Sequence, residues 1–530
     1  MDHSFGRPLS KEVLMTIRAA PPYLRWVIAA MVVLTFACAP AGLAPAPQAT
    51  PPVMLERAAA PPMAVGGTTP PNAEPYDATF FKTYGVNPFI DTEDEHLSTF
   101  GMDVDTASYT IVRRFITDGN MPPPEAIRVE EFVNYFKHDY PEPEEGAFAI
   151  QLDAAPAPFR GEKYRLMRIG LQGRHILAED RKDASLIFVI DVSGSMAREN
   201  RLGLVKRALR LLVDELRPTD QVGIVVYGSR AQVILEPTPA SNRDIIISAI
   251  ESLQTGGSTN AEEGLRLGYQ MAVRTLAEGR ITRVILCSDG VANVGRTGAE
   301  GILKEIRGYV ADGVTLSTVG FGMGNYNDVL MEQLADNGNG SYAYVDTLAE
   351  ARRIFVENLT GTLQVIAQDA KVQVDFNPEV VSRFRLLGYE NRRLRAEEFR
   401  DDAVDAGEVG AGHSVTALYE FKLHDEAEGR VATVFVRYQD PDTGEVAEIQ
   451  KSLETADILP TFEEAPLSFQ LDAAVAEFAE VLRESYWAQN TKLEDVLALA
   501  QRLSAAMPDD ADVTEFVYLV SQTNRLMGQE

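Results

Sequence analysis

Residues 186–200 read LIFVIDVSGSMAREN: five apolar residues, then Asp191, then serines at 193 and 195. A short unbroken run of Leu, Ile, Phe and Val reads as a strand buried on both faces. Asp191, Ser193 and Ser195 alternate, so in extended chain their side chains leave on the same side. Gly194 lets the backbone bend closely around whatever they hold.

Outward from this strand the chain alternates. Leu202, Val205, Leu209, Leu212, Val213 and Leu216 mark one face of a helix, and Val222–Tyr227 reads as a strand. Helices are expected over Ile245–Leu253 and Leu265–Leu276, a strand over Val284–Ser288, and a helix over Ile302–Val310. A strand over Val314–Phe321 and a short helix over Val329–Ala335 complete the series. Buried strands alternating with amphipathic helices predict an α/β unit, doubly wound, with a mostly parallel sheet covered on both faces. In such sheets ligands sit beyond the carboxyl ends of the strands.

Two more loops reach that rim. Asp289 ends the later strand in VILCSDG, and QTGGSTN offers Thr259 behind two glycines. Hydroxyls and carboxylates without His or Cys suit Mg²⁺, Mn²⁺ or Ca²⁺ rather than zinc or copper. An intact but metal-free rim, or an ion that only stiffens it, would use the same residues.

DxSxS after an apolar strand, a Thr in a Gly-rich loop and SDG after a later strand together resemble the von Willebrand factor type A domain. The resemblance covers Ala184 to about Gly361 and implies a metal-ion-dependent adhesion site. It assigns Ser193, Ser195 and Thr259 as hydroxyl ligands, with Asp191 and Asp289 acting through water or as supporting carboxylates. It further implies an ion with an open position that a protein partner's Asp or Glu completes.

The flanks extend the resemblance to bacterial envelope A-domain proteins with an N-terminal flanking domain and a distinct C-terminal module. Residues 77–183 read as helices followed by strands (FAIQLDAAPAPF and YRLMRIGLQG), with Asp105 expected as a helix N-cap. A helix is also expected over Ile127–Phe136. Residues 362–460 are β-rich, and their strands are expected to pair with those of 145–172 in a sandwich-like region that brackets the A domain at 184–361. Residues 461–530 carry helix-spaced apolar residues in AAVAEFAEVLRESYWA and LEDVLALAQRLSAAM.

The N-terminus is of another kind. Arg7, Lys11, Arg18 and Arg25 precede the apolar stretch Trp26–Ala37, and Cys38 follows at once. That stretch is far short of the roughly 20 residues that span a bilayer. The order resembles a bacterial lipoprotein signal over 1–37, with Cys38 as the lipidated residue, although Thr35 and Phe36 depart from the usual pattern. A signal anchor or a cleaved secretory peptide shares this composition, and translation from Met15 would shorten the basic region. Residues 38–76 hold ten prolines from Pro40 to Pro75 and read as an extended tether.

The net charge is −29 over 530 residues, which argues against nucleic acid as a partner. Only Cys38 and Cys287 are present, so no disulfide framework holds the fold. Asp103 and Asp105 have the spacing of phosphotransferase aspartates, but a helix cap accounts for Asp105. No P-loop, HExxH or GxSxG occurs. Asp440, Asp442 and Gly444 fit a hairpin turn better than a calcium loop, and the scattered histidines read as surface or loop residues. The expectation is a non-enzymatic protein, lipid-anchored in a bacterial envelope, that binds a protein partner through a divalent cation. The alternatives are an envelope scaffold with an incidental metal and, further off, a metal-dependent hydrolase.

Overall fold

The computed structural model describes residues 81–528 apart from 198–200, 291–297, 324–325 and 405. The expected signal, the expected tether and Cys38 lie outside the described residues. Among the described residues no helix is long and apolar enough to cross a membrane.

The strand with the serines runs from Asp183 to Asp191, at the centre of a six-stranded sheet. Across that sheet the order is Tyr342–Val345, Val314–Phe321, Arg280–Ser288, Asp183–Asp191, Gln221–Tyr227 and Ala231–Pro239. All neighbours are parallel except the last pair, where Ala231–Pro239 returns antiparallel along one edge. The period-2 pleat sorts the central strand. Leu186, Phe188 and Ile190 pack beneath the helix Leu202–Glu215. Ile187 and Val189 pack on the other face with Leu265, Tyr269 and Leu330. This is the doubly wound α/β unit.

Around it lies a β-sandwich assembled from both flanks. One sheet is antiparallel, with Tyr164–Gly173 between Phe148–Pro156 and Ser414–Leu423, followed by Val381–Leu387 and Ile90–Asp91. In the other, Val365–Phe376 lies between Leu97–Gly101 and Arg430–Gln439, which pairs in turn with Val446–Glu454. The sheets share one core, in which the Phe376 ring lies 4.3 Å from that of Phe384. Helices Leu467–Leu482, Leu493–Ala506 and Ala511–Met527 cover the outer side, with Phe469, Phe478 and Phe516 against Leu166 and Leu418.

Helix Ala107–Thr117 joins these parts. Nine of its eleven residues are buried. Ile111 and Phe115 enter the A-domain core, whereas Val112 and Ile116 enter the core of the C-terminal helices. Its Arg113 donates to Asp346 at 2.6 Å and pairs with Glu350 and Glu515 at 3.0 Å.

Four expectations are corrected here. Asp105 caps no helix: the helix begins after Thr106, and Asp105 Oδ1 instead accepts the Tyr342 N–H at 2.9 Å. A strand edge whose N–H would otherwise be buried without a partner has taken the carboxylate. LSTFG is itself a strand, and Asp103 at its end accepts from Arg392 Nε at 3.0 Å. The helix expected over Ile127–Phe136 is confined to Val129–Val133. His138 is buried rather than at the surface, with Nε2 2.6 Å from Asp472 Oδ1. Asp440 does serve a turn, accepting the N–H groups of Asp442 and Thr443 at 2.9 Å.

Candidate metal centre

The rim forms where the Asp183–Asp191 strand stops. Asp191 is fully buried, and its Oδ1 accepts the Ser193 N–H at 2.8 Å. This Asx-type bond folds the loop back, and the two serine Oγ atoms lie 3.0 Å apart. Ser193 is buried and Ser195 exposed, so the pair bridges interior and solvent. On the adjacent strand Ser288 donates to Asp191 Oδ2 at 3.3 Å.

Asp289 follows Ser288 and is also buried. Its Oδ2 accepts from Arg201 Nη1 at 2.6 Å, and the Ser195 hydroxyl lies within hydrogen-bond reach. Burial, then the charge of Asp289, lifts Asp191 to about 6 against the pull of its hydrogen bonds to Ser193 and Ser288. Burial likewise raises Asp289, although Arg201 and Ser195 hold it back. The Arg201 guanidinium thus pairs with Asp289, while Asp191, raised by the charge of Asp289, has hydroxyl and backbone partners only, and a cation on the rim would relieve that negative charge.

The third loop is tied to the first by backbone. Gly256 N–H donates to the Val192 carbonyl at 2.7 Å, and Gly194 N–H to the Gly257 carbonyl at 3.2 Å. Thr259, half-buried, stands two residues beyond that bond. Asp191, Ser193, Ser195 and Asp289 are therefore drawn together through their side chains. Thr259 is brought alongside through its loop, and among the described residues no hydrogen bond joins its hydroxyl to the serines. A donor set of hydroxyls and carboxylates on an exposed rim fits a hard divalent cation.

Two residues here escaped the sequence reading. Ser288 stood in plain view in CSDG, where a buried hydroxyl beside Asp191 could have been inferred from strand neighbourhood. Arg201 gave no signal, because its role depends on segments brought together only by folding. Cys287, one residue before Ser288, is a free and fully buried thiol whose pKa burial pushes up.

Comparisons with known proteins match this layout. Residues 185–362 fit the family model of the von Willebrand factor type A domain, and 75–168 fit a model described as von Willebrand factor. Residues 361–526 fit a model described as the C-terminal part of the uncharacterized protein YfbK. The chain is 36% identical to that protein from Escherichia coli K12 over 467 residues, covering 83% of this chain and 80% of the relative. It is 26% identical to the uncharacterized protein sll0103 of Synechocystis over 351 residues, covering 64% and 80%. A solved von Willebrand factor type A structure from Catenulispora acidiphila aligns over 72% of this chain and 90% of its own. The identity there is 15% and the TM-score 0.41.

Proposed function

The chain belongs to the family of the uncharacterized protein YfbK, joining a von Willebrand factor type A domain to that family's C-terminal module. From that premise we propose that its rim binds a divalent cation and, through it, a carboxylate of a protein partner. The observation that carries the reading is the pair of serine oxygens 3.0 Å apart in front of two buried acids. The two oxygens, now hydrogen-bonded to each other, stand close enough to turn to one ion, Mg²⁺, Mn²⁺ or Ca²⁺.

Ser193, Ser195 and Thr259 would hold the ion, with Asp191 and Asp289 behind them. The ion supplies an electrophilic centre for an incoming acid. The chain's own residues do the rest: Asp191 fixes the serine loop through the Ser193 N–H, and the bond from Gly194 to Gly257 fixes the distance between two loops. The exposed side of Ser195 leaves the approach open. Hydroxyl ligands bring no charge, so the ion keeps its affinity for a partner's Asp or Glu. The reading extends to a bacterial envelope protein anchored through lipidated Cys38, with no enzymatic step.

The test has two arms. Mn²⁺ titration of the full chain should show one site that is lost in Ser193→Ala/Ser195→Ala, with the EDTA melting curve unchanged. Capture of envelope proteins should require Mg²⁺ and fail with Asp191→Ala. Capture that survives EDTA instead favours an envelope scaffold. Recovery of the intact chain from the cytosol with Cys38 unmodified removes the anchoring part.

A further inference from the structure

Arg201 is only 3% exposed, and its guanidinium touches three segments of the rim. Nη1 donates to Asp289 Oδ2 at 2.6 Å and to the Ser195 carbonyl at 2.9 Å. Nη2 donates to the carbonyl of Met323, just past the strand Val314–Phe321. The space for this is specifically provided. Gly322 has φ +84°, and a Cβ there would lie 2.6 Å from Arg201 Nε. The serine loop and the ends of two strands are therefore held by one buried cation of the chain's own.

We propose that Arg201 is a resident counter-ion that keeps the rim assembled without metal and lowers its affinity for the free divalent cation. The proposal rests on the cation reading above. Its logic is electrostatic. Asp289 already shares an oxygen with a guanidinium, so it offers an ion less than its full charge. The same guanidinium repels any dication on the rim. A fixed unit charge opposes a dication about 6 Å away by about tenfold in affinity even at the dielectric constant of bulk water. An ion held under those conditions stays short of negative charge, and an outside carboxylate gains what Asp289 withholds. Arg201 acts through Asp289 and the loops, and is a positioning residue.

A merely structural arginine predicts the opposite sign: its removal would loosen the rim and weaken the ion. Mn²⁺ affinity of the full chain, read by calorimetry or by the loss of the free-ion resonance signal, separates the two. Arg201→Gln should bind Mn²⁺ at least about tenfold more tightly than the parent. Its melting temperature in EDTA should fall while the rise produced by Mn²⁺ grows. Arg201→Lys keeps the charge and should stay within about threefold of the parent. Arg201→Met, close in volume and uncharged, serves if the glutamine variant does not fold. Equal or weaker Mn²⁺ binding in the uncharged variants overturns the proposal, as does a lysine variant that tightens like glutamine. If the parent binds Mn²⁺ and the variants do not differ from it, only the role of Arg201 falls. If neither parent nor variants bind, the cation reading falls with it.

Discussion

Arg385 offers the sharpest test of what holds the sandwich to the C-terminal helices. It is fully buried, with Nε 3.0 Å from Glu420 and Nη1 3.0 Å from Glu480. Its guanidinium also lies 5.5 Å from the Trp487 ring and 5.8 Å from that of Phe89. Arg385→Met keeps most of the volume and removes the charge. Glu420 retains Arg160 at 2.7 Å, and Glu480 retains Arg483. Neither acid is stripped bare, but three buried cations shared among several acids become two. Breaking a buried pair by removing one member costs about 3–5 kcal/mol, because the remaining charge stays out of water. Because each acid keeps one partner, we expect a loss near the lower end of that range, about 3 kcal/mol, and about half of it in Arg385→Lys. Burial raises Glu480, but Arg483 and Arg385 outweigh it and hold the carboxyl at about 2. A free glutamate titrates near 4.5, so the depressed group contributes stability above that pH which disappears as pH falls towards 2. The full shift corresponds to about 3 kcal/mol. Arg385→Met should therefore begin acid unfolding at a higher pH than the parent. Trp487 is one of two tryptophans in the chain, so urea titration followed by its fluorescence in a Trp26→Phe background reads this cluster directly. A methionine variant within about 1 kcal/mol of the parent, with an unchanged acid limb, would refute the assignment of this cation to the junction.

Other expectations follow from single contacts. A Cβ on Gly268 would lie 2.4 Å from Val189 Cγ2, so Gly268→Val should force helix Ala261–Val273 off the central strand. The expected loss is about 3 kcal/mol, read as a fall in the thermal midpoint. Burial, then Arg283 and His175, lowers His413 to about 4, while an unfolded histidine titrates at 6.5. Its neutral form therefore supports the fold above pH 6.5, and up to about 3 kcal/mol is lost as pH drops through 4. His413→Gln should flatten that part of the stability profile, and an unchanged slope assigns it elsewhere. Asp103→Asn should loosen Arg392, seen as faster amide exchange in the strand Leu97–Gly101.

The A domain was open to reading because its strands are buried on both sides and its helices are amphipathic, so local composition carries the pattern. The edge strand Ala231–Pro239 escaped notice: half-exposed and interrupted by Pro237, it has neither an apolar run nor a clean alternation. Leu97–Gly101 is five residues long and finds its partner at Leu97↔Asp375, a distance over which periodicity says nothing. Asp105 was misread because a carboxylate before a helix looks the same whether it caps that helix or a distant strand. His138 was misplaced because its burial depends on Asp472 in the last helical module. The rim's acids and hydroxyls announced themselves by spacing along one strand and its neighbours. Arg201 did not, since nothing local marks an arginine that reaches across three segments.

The pairing of Gly101 with Lys371 also sets a timetable for a chain made from its N-terminus. The A domain, continuous in sequence, can collapse as soon as it emerges. The first sandwich strand must wait, uncovered, until that entire insert and the strand beyond it have been synthesised. A stop codon soon after Leu363 would therefore leave a competent A domain preceded by a strand without its sheet and a helix covered on its A-domain face alone. Such a product should be a target for proteases at its beginning rather than at its cut end.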